Sequence, residues 1–265
     1  MRILFVVALG VAAVSDAQGW RKAEDQTLTD AQVQEIIAKF AAKEADFARA
    51  RENYTYRQTA RIQELEPDAV PRGRYEMVTD IIFSPEGKRT ERVVRAPVST
   101  LKNIQMTPED EQDLRNVQPF VLTSSEIPKY WVRYLGKQLA DEIPCYLFAV
   151  KPKKLEKGER YFQGIVWVDD RDLQIVKSYG RGVGLIRKGF DNLFPKFETY
   201  REQIDAKYWF PTYTRADDTL AFQSGPQRIR MTVRYEDYKQ FKSEIQIKYG
   251  EQAPSPETAP APKKP

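Results

Sequence analysis

The sequence predicts a mainly β fold of the α+β class. It would be one large curved antiparallel sheet, or incomplete β-barrel, of roughly ten or eleven strands, covered by an N-terminal helix and a short internal helix. Three observations predict it. One long segment near the start carries apolar residues at helical spacing; from residue 54 onward the hydrophobic period is two; and the strand-like runs are joined mostly by short turn-forming links. A meander of that size does not stay flat, because open sheets of many strands curl.

Residues 1–17 stand apart from the fold. Arg2 gives a short positive start, and I-L-F-V-V-A-L-G-V-A-A-V (3–14) is too short an apolar run to span a bilayer. Ser15-Asp16-Ala17 then places small residues where a leader is cut. The expectation is a secretory signal removed after Ala17, a single β domain over 18–250, and a soluble periplasmic or secreted protein. The segment 29–51 reads as one helix: Thr29 caps it, Gln32 completes a capping box, and Val33, Ile36, Ile37, Phe40 and Phe47 form one apolar stripe. That stripe needs a cover or a cavity, so the helix is a candidate lid.

In Y-T-Y-R-Q-T-A-R-I (54–62), Tyr54, Tyr56, Ala60 and Ile62 share a face; in R-Y-E-M-V-T-D-I-I-F (74–83), so do Tyr75, Met77, Ile81 and Phe83. A turn at 85–88 leads into R-T-E-R-V-V-R (89–95). T-P-E-D-E-Q-D-L-R-N-V (107–117) is a second helix, with Thr107 as cap, Pro108 at its first position and acids in its first turn. Further strand-like runs cover 130–136, 144–150, 161–168, 173–179, 195–202, 208–216 and 228–238. After Gly250, E-Q-A-P-S-P-E-T-A-P-A-P-K-K-P has no apolar pattern, which predicts a disordered Pro-rich tail over 251–265.

Composition removes most catalytic chemistry. With no histidine and one cysteine, Ser-His-Asp and Cys-His sites are impossible, the usual zinc ligand set cannot form, and no intramolecular disulfide exists. Cys145, in P-C-Y-L-F-A-V, reads as a small core residue. No phosphate-binding glycine loop is present; G-R-G-V-G (180–184) has the wrong spacing and no helix after it. No cofactor is predicted. A net charge of +4 with both signs interspersed suits a negatively charged envelope surface and does not point to nucleic acid.

Three polar features remain. Asp169-Asp170 sits between two strand-like runs, and neighbouring strand residues point to opposite faces, so the pair reads as a hairpin turn rather than as two acids acting on one substrate. Asp217-Asp218 receives the same reading. Lys151, Lys153, Lys154, Arg187 and Lys188 read as solvated loop charges, or as a dock for an acidic protein partner, an envelope membrane or anionic lipid head groups. The aromatic supply of 14 Tyr, 13 Phe and 4 Trp reads either as simple core or as the lining of an internal volume that a half-open sheet covered by an amphipathic helix leaves for an apolar ligand. Tyr56, Met77, Ile81, Phe83, Phe148, Trp167, Val233 and Tyr235 are the candidate ligand-binding residues facing that volume.

The run Y-L-F-A-V-K-P-K-K…G-E-R-Y-F-Q-G-I-V-W-V-D-D-R-D-L-Q-I-V-K (146–177) and the following F-E-T-Y-R-E-Q-I-D-A-K-Y-W-F-P-T-Y-T-R-A-D-D-T-L (197–220) resemble the LolA/LolB-like superfamily, in particular its outer-membrane lipoprotein-sorting proteins. The resemblance spans most of residues 29–247. It implies an incomplete β-barrel with helices as a lid, holding lipid or lipoprotein acyl chains in an apolar cavity, and no enzyme activity. The Pro-rich tail is not part of that pattern. The alternative is an envelope structural or interaction module that binds a protein partner without lipid cargo; exposed strand edges and a filled core would favour it.

Overall fold

A computed structural model describes residues 28–84, 88–117, 119–185 and 194–241. The expected signal peptide and the Pro-rich tail lie outside the described residues, as do Arg187 and Lys188. Helix α1 (Asp30–Arg51) starts on the expected box: Thr29 accepts from the Gln32 amide, and the Gln32 side chain accepts from the Thr29 amide. Ten strands follow: β1 (Tyr54–Leu65), β2 (Pro71–Phe83), β3 (Arg89–Ser99), β4 (Tyr130–Ala140), β5 (Ile143–Pro152), β6 (Tyr161–Asp169), β7 (Ile175–Val183), β8 (Phe197–Ile204), β9 (Tyr208–Phe222) and β10 (Gly225–Gln240). Between β3 and β4 come the short helix α2 (Pro108–Gln112), a π-helical turn (Asp113–Val117) and a 3-10 turn (Ile127–Lys129). Among the described residues no helix is long and apolar enough to cross a membrane.

All ten strands form one antiparallel sheet in the order β3-β2-β1-β10-β9-β8-β7-β6-β5-β4. Strands adjacent in the chain are adjacent in space, and β10 returns to pair with β1, with Val233 opposite Ala60. This is the order of an up-and-down barrel left open at one place. β3 and β4, consecutive in the chain, are the two edges, and residues 100–129 must run from one edge to the other. We call that segment the strap.

The inner face of the sheet, the underside of α1 and the buried side of the strap make one core. It joins Ile37, Phe40 and Ala41 of α1, Leu114, Phe120 and Leu122 of the strap, and wall residues from most of the strands. Phe40 packs against Phe148 with ring centroids 5.3 Å apart. Toward the C-terminal end of α1, Phe47 meets Phe210 edge-on at 5.1 Å beside Tyr54. A smaller cluster, Ala140, Cys145, Trp167 and Val176, is separate from that core.

The turn reading holds for Asp169-Asp170. Asp169 Oδ1 accepts from the amides of Arg171 (2.6 Å) and Asp172 (3.1 Å), and Asp170 pairs with Lys137 at 3.1 Å. It fails for Asp217-Asp218, which lie inside β9. The turn comes later, at Gln223 and Ser224, where Gly225 has φ +118° and relieves the backbone. Within the strand Asp217 pairs with Arg228 and Arg230 on β10 in a cross-strand charge ladder, while Asp218 accepts from the Lys196 and Thr219 amides.

Cys145 is fully buried, and burial pushes its thiol up to about 12. The expected outcome is that a thiol-specific disulfide reagent at pH 8 leaves the native protein unmodified and labels one site per chain after denaturation.

Candidate functional site

The candidate site is the inner wall of the open barrel together with the two elements that cover it, α1 and the strap. Of the residues expected to line it, Tyr56, Ile81, Phe148, Val233 and Tyr235 are buried in the main core, and Met77 packs against it. Register explains the grouping: Tyr56 is opposite Ile81, and Ala60 stands between Met77 and Val233. Phe83 lies at the end of β2, half-buried and stacked on Phe241 at 4.4 Å, away from that core. Trp167 is a correction. On β6, Val166 and Val168 face the main core, so Trp167 between them belongs to the second cluster, where its ring nitrogen donates to Gln138. Lys151, Lys153 and Lys154 are exposed, with the Lys153 ammonium 5.1 Å from the centre of the Trp131 ring.

Polar groups buried beneath the covers hold them in place. Glu44 projects from the buried face of α1 at the helical phase of Ile37, Phe40, Ala41 and Phe47. It meets Arg201 of β8 at 3.1 Å and accepts from the Ile175 amide of β7 at 3.0 Å. Arg201 also donates to the carbonyl of Phe120. One ion pair therefore joins helix, wall and strap. Burial pushes the Glu44 carboxyl above its usual range, against the pull of Arg201 and of the Ile175 and Leu122 amides, and burial lowers Arg201.

The strap has further ties to the wall. Glu64, fully buried on β1, accepts from the backbone amides of Lys102, Asn103 and Ile104 at 2.7–3.0 Å. Gln58 of β1 donates to the Leu114 carbonyl at 3.2 Å. Asp113 pairs with Arg160 at the start of β6, and Gly182 leaves the room for it, since a Cβ there would overlap the Asp113 carboxylate. The G-R-G-V-G run is thus a packing feature. Glu44, Arg201, Glu64, Asp113 and Arg160 are all absent from the sequence-based site. The available signal was a charge at a core phase: Glu44 among the helix's apolar positions, and Arg201 on the inward phase of Phe197 and Thr199.

Among the described residues, side chains of the wall, α1 and the strap pack together in one cluster. Two recesses open beside the strap: one of about 210 Å³, floored by Phe120, Tyr130 and Phe162, and one of about 530 Å³ between Tyr75 and residues 99–106. The buried carboxylates of Glu44, Asp113 and Glu64 are engaged by Arg201, Arg160 and the strap amides.

Neither a protein-family model nor a curated protein matches the sequence. Solved structures do. The chain is similar to an outer-membrane lipoprotein-sorting protein domain from Vibrio parahaemolyticus, at 14% identity and TM-score 0.36, over 79% of this chain and 95% of that one. It is similar to a DUF1329 family protein from Desulfovibrio piger, at 11% identity and TM-score 0.36, over 80% and 94%. It is also similar to MucB, at 14% identity and TM-score 0.27, over 78% and 93%.

A buried pair is costly to make and more costly to break, because removing one partner strands the other's charge. Glu44→Gln and Arg201→Met are each expected to destabilise by about 3–5 kcal/mol in urea unfolding. The double variant Glu44→Leu/Arg201→Met is expected to recover only part of that loss, since the Ile175 amide and the Phe120 carbonyl lose their partners.

Proposed function

We propose that this chain is an exported envelope carrier without catalytic activity, which shields the acyl chains of a lipid or lipoprotein between the barrel wall and its covers. One observation carries the reading: six of the side chains filling the interior come from the covers. Ile37, Phe40, Ala41, Leu114, Phe120 and Leu122 occupy volume that the wall alone would leave open. The wall opposite is apolar and aromatic, including Tyr56, Ile81, Phe148, Val233 and Tyr235.

Magnitudes limit how the covers can move. An acyl stretch of about ten methylenes gains about 8 kcal/mol on leaving water. Exposing Ile37, Phe40, Leu114, Phe120 and Leu122 at about 1.5–3 kcal/mol each would cancel that gain. The covers must therefore ride outward on the cargo and stay over it rather than swing away. Separating Glu44 from Arg201 is the main polar cost of that movement. The recesses flanking the strap are the natural entrances.

Native mass spectrometry and lipid extraction of the exported protein test the reading. The expected result is an acyl lipid retained on purification, or taken up by the delipidated chain at about one per protein. A folded protein that neither holds nor takes up an acyl chain contradicts it.

A second reading is favoured by the sheet edges and the filled interior. On edge strand β3, Val93, Val94 and Val98 are exposed, and on edge strand β4 Trp131 and Leu135 are. Such edges suit a protein partner bound by strand addition. Pull-down from membranes with and without Val94→Lys and Trp131→Lys separates the two, since neither substitution touches the interior.

A further inference from the structure

The 210 Å³ recess beside the strap combines an apolar floor with charge. Phe120 and Phe162 stack at 4.5 Å on its floor, and Tyr130 meets Phe120 edge-on at 5.8 Å. All three belong to the main core, so the floor is the rim of the interior. The lining also carries Arg51, Arg115 and Arg160 against one carboxylate, Glu126.

Three of these four charges are already matched. Arg115 pairs with Glu111 at 3.0 Å, Arg160 pairs with Asp113, and Glu126 pairs with Lys129 at 2.9 Å. Arg51 differs. Among the described residues it has no carboxylate within ion-pair distance; its guanidinium donates to the Tyr56 hydroxyl at 3.2 Å and lies 5.9 Å from that ring's centre. Tyr235, Tyr238 and the cationic Arg201 are also near enough to act on it or be acted on by it. Glu44 is engaged by Arg201. The C-terminus of α1 supplies about half a negative charge, which leaves a positive excess in a partly buried position.

We propose that Arg51 binds the anionic head group of an amphiphile, a carboxylate or phosphate whose first carbons lie on Phe120, Tyr130 and Phe162. The guanidinium fork matches two oxyanion oxygens, and an apolar floor reduces the screening that weakens surface charge pairs. The recess holds about seven water volumes at roughly 30 Å³ each, room for a head group and a few carbons. The rest of the chain then passes Phe120, a strap residue, toward the interior. This inference rests on the acyl-carrier reading and adds the chemical class of the head group.

Calorimetric titration of the full chain with decanoate, decanol and inorganic phosphate tests it, using wild type, Arg51→Gln, Arg51→Lys and, as a control outside the recess, Arg228→Gln, whose guanidinium pairs with Asp217. The expected result is decanoate binding about tenfold tighter than decanol, with no saturable phosphate binding. Arg51→Gln should abolish the preference while leaving decanol affinity unchanged. Arg51→Lys should keep part of the preference, and Arg228→Gln should retain it.

A preference that survives in Arg51→Gln overturns the proposal. So does phosphate binding as tightly as decanoate, which would mark a site for free anions. Equal affinity for both amphiphiles in wild type overturns the head-group assignment and leaves the carrier standing. Binding of neither overturns both.

Discussion

A carboxylate on a helix and a guanidinium on a strand, Glu44 and Arg201, are buried against each other where α1, the wall and the strap meet. Each is costly in an apolar setting, and each is tolerable only while the other stays in place. The pair fixes the rotation of α1, because a turn of the helix about its axis would carry Glu44 out of reach. It also fixes the strap, through the Phe120 carbonyl that Arg201 holds. Apolar contacts around it are stronger in sum but less directional. The ion pair selects one packing of cover on wall out of several that would bury similar area.

The open barrel makes such a selector necessary. A closed barrel has no edges and its wall side chains fill its own interior. Here β3 and β4 do not meet, and the strap that joins them supplies Leu114, Phe120 and Leu122 to the core. A strap without regular strand pairing leaves backbone groups that need partners. Glu64, Gln58 and Arg201 satisfy amides or carbonyls along it, and Arg160 fixes its turn through Asp113. Few of these are replaceable by apolar packing, so the covers are joined to the wall by a short set of discrete bonds. That is a suitable construction for elements that move as a unit.

The strands and helices were legible because each obeys a simple period: α1 begins on its capping box, and all ten strands overlap the runs of alternating residues. Alternation fails where both faces of a strand are covered. β6 buries Val166, Trp167 and Val168 in succession, so hydrophobicity carries no phase there, and Trp167 lies on the face opposite the expected one. Asp217-Asp218 looks like a turn because an acid that pairs with cross-strand arginines, as Asp217 does, has the same local sequence, and the arginines are on another strand. The buried polar ties were illegible for a related reason. Glu44 resembles any surface glutamate until its partner, 157 residues away, is known. The opening between β3 and β4 could not be read at all, since strand periodicity is silent on which edges pair.

Hydrogen exchange under native conditions tests most directly whether the covers form one unit pinned by the Glu44–Arg201 pair. Amides of α1 and of strap residues 102–104 and 122 should open together, at a free energy below that of β5 to β7. Arg201→Met should lower the protection of α1 and strap by the same amount and leave β5 and β6 unchanged. Covers that exchange only with global unfolding, or a substitution that loosens one cover and not the other, would contradict the account.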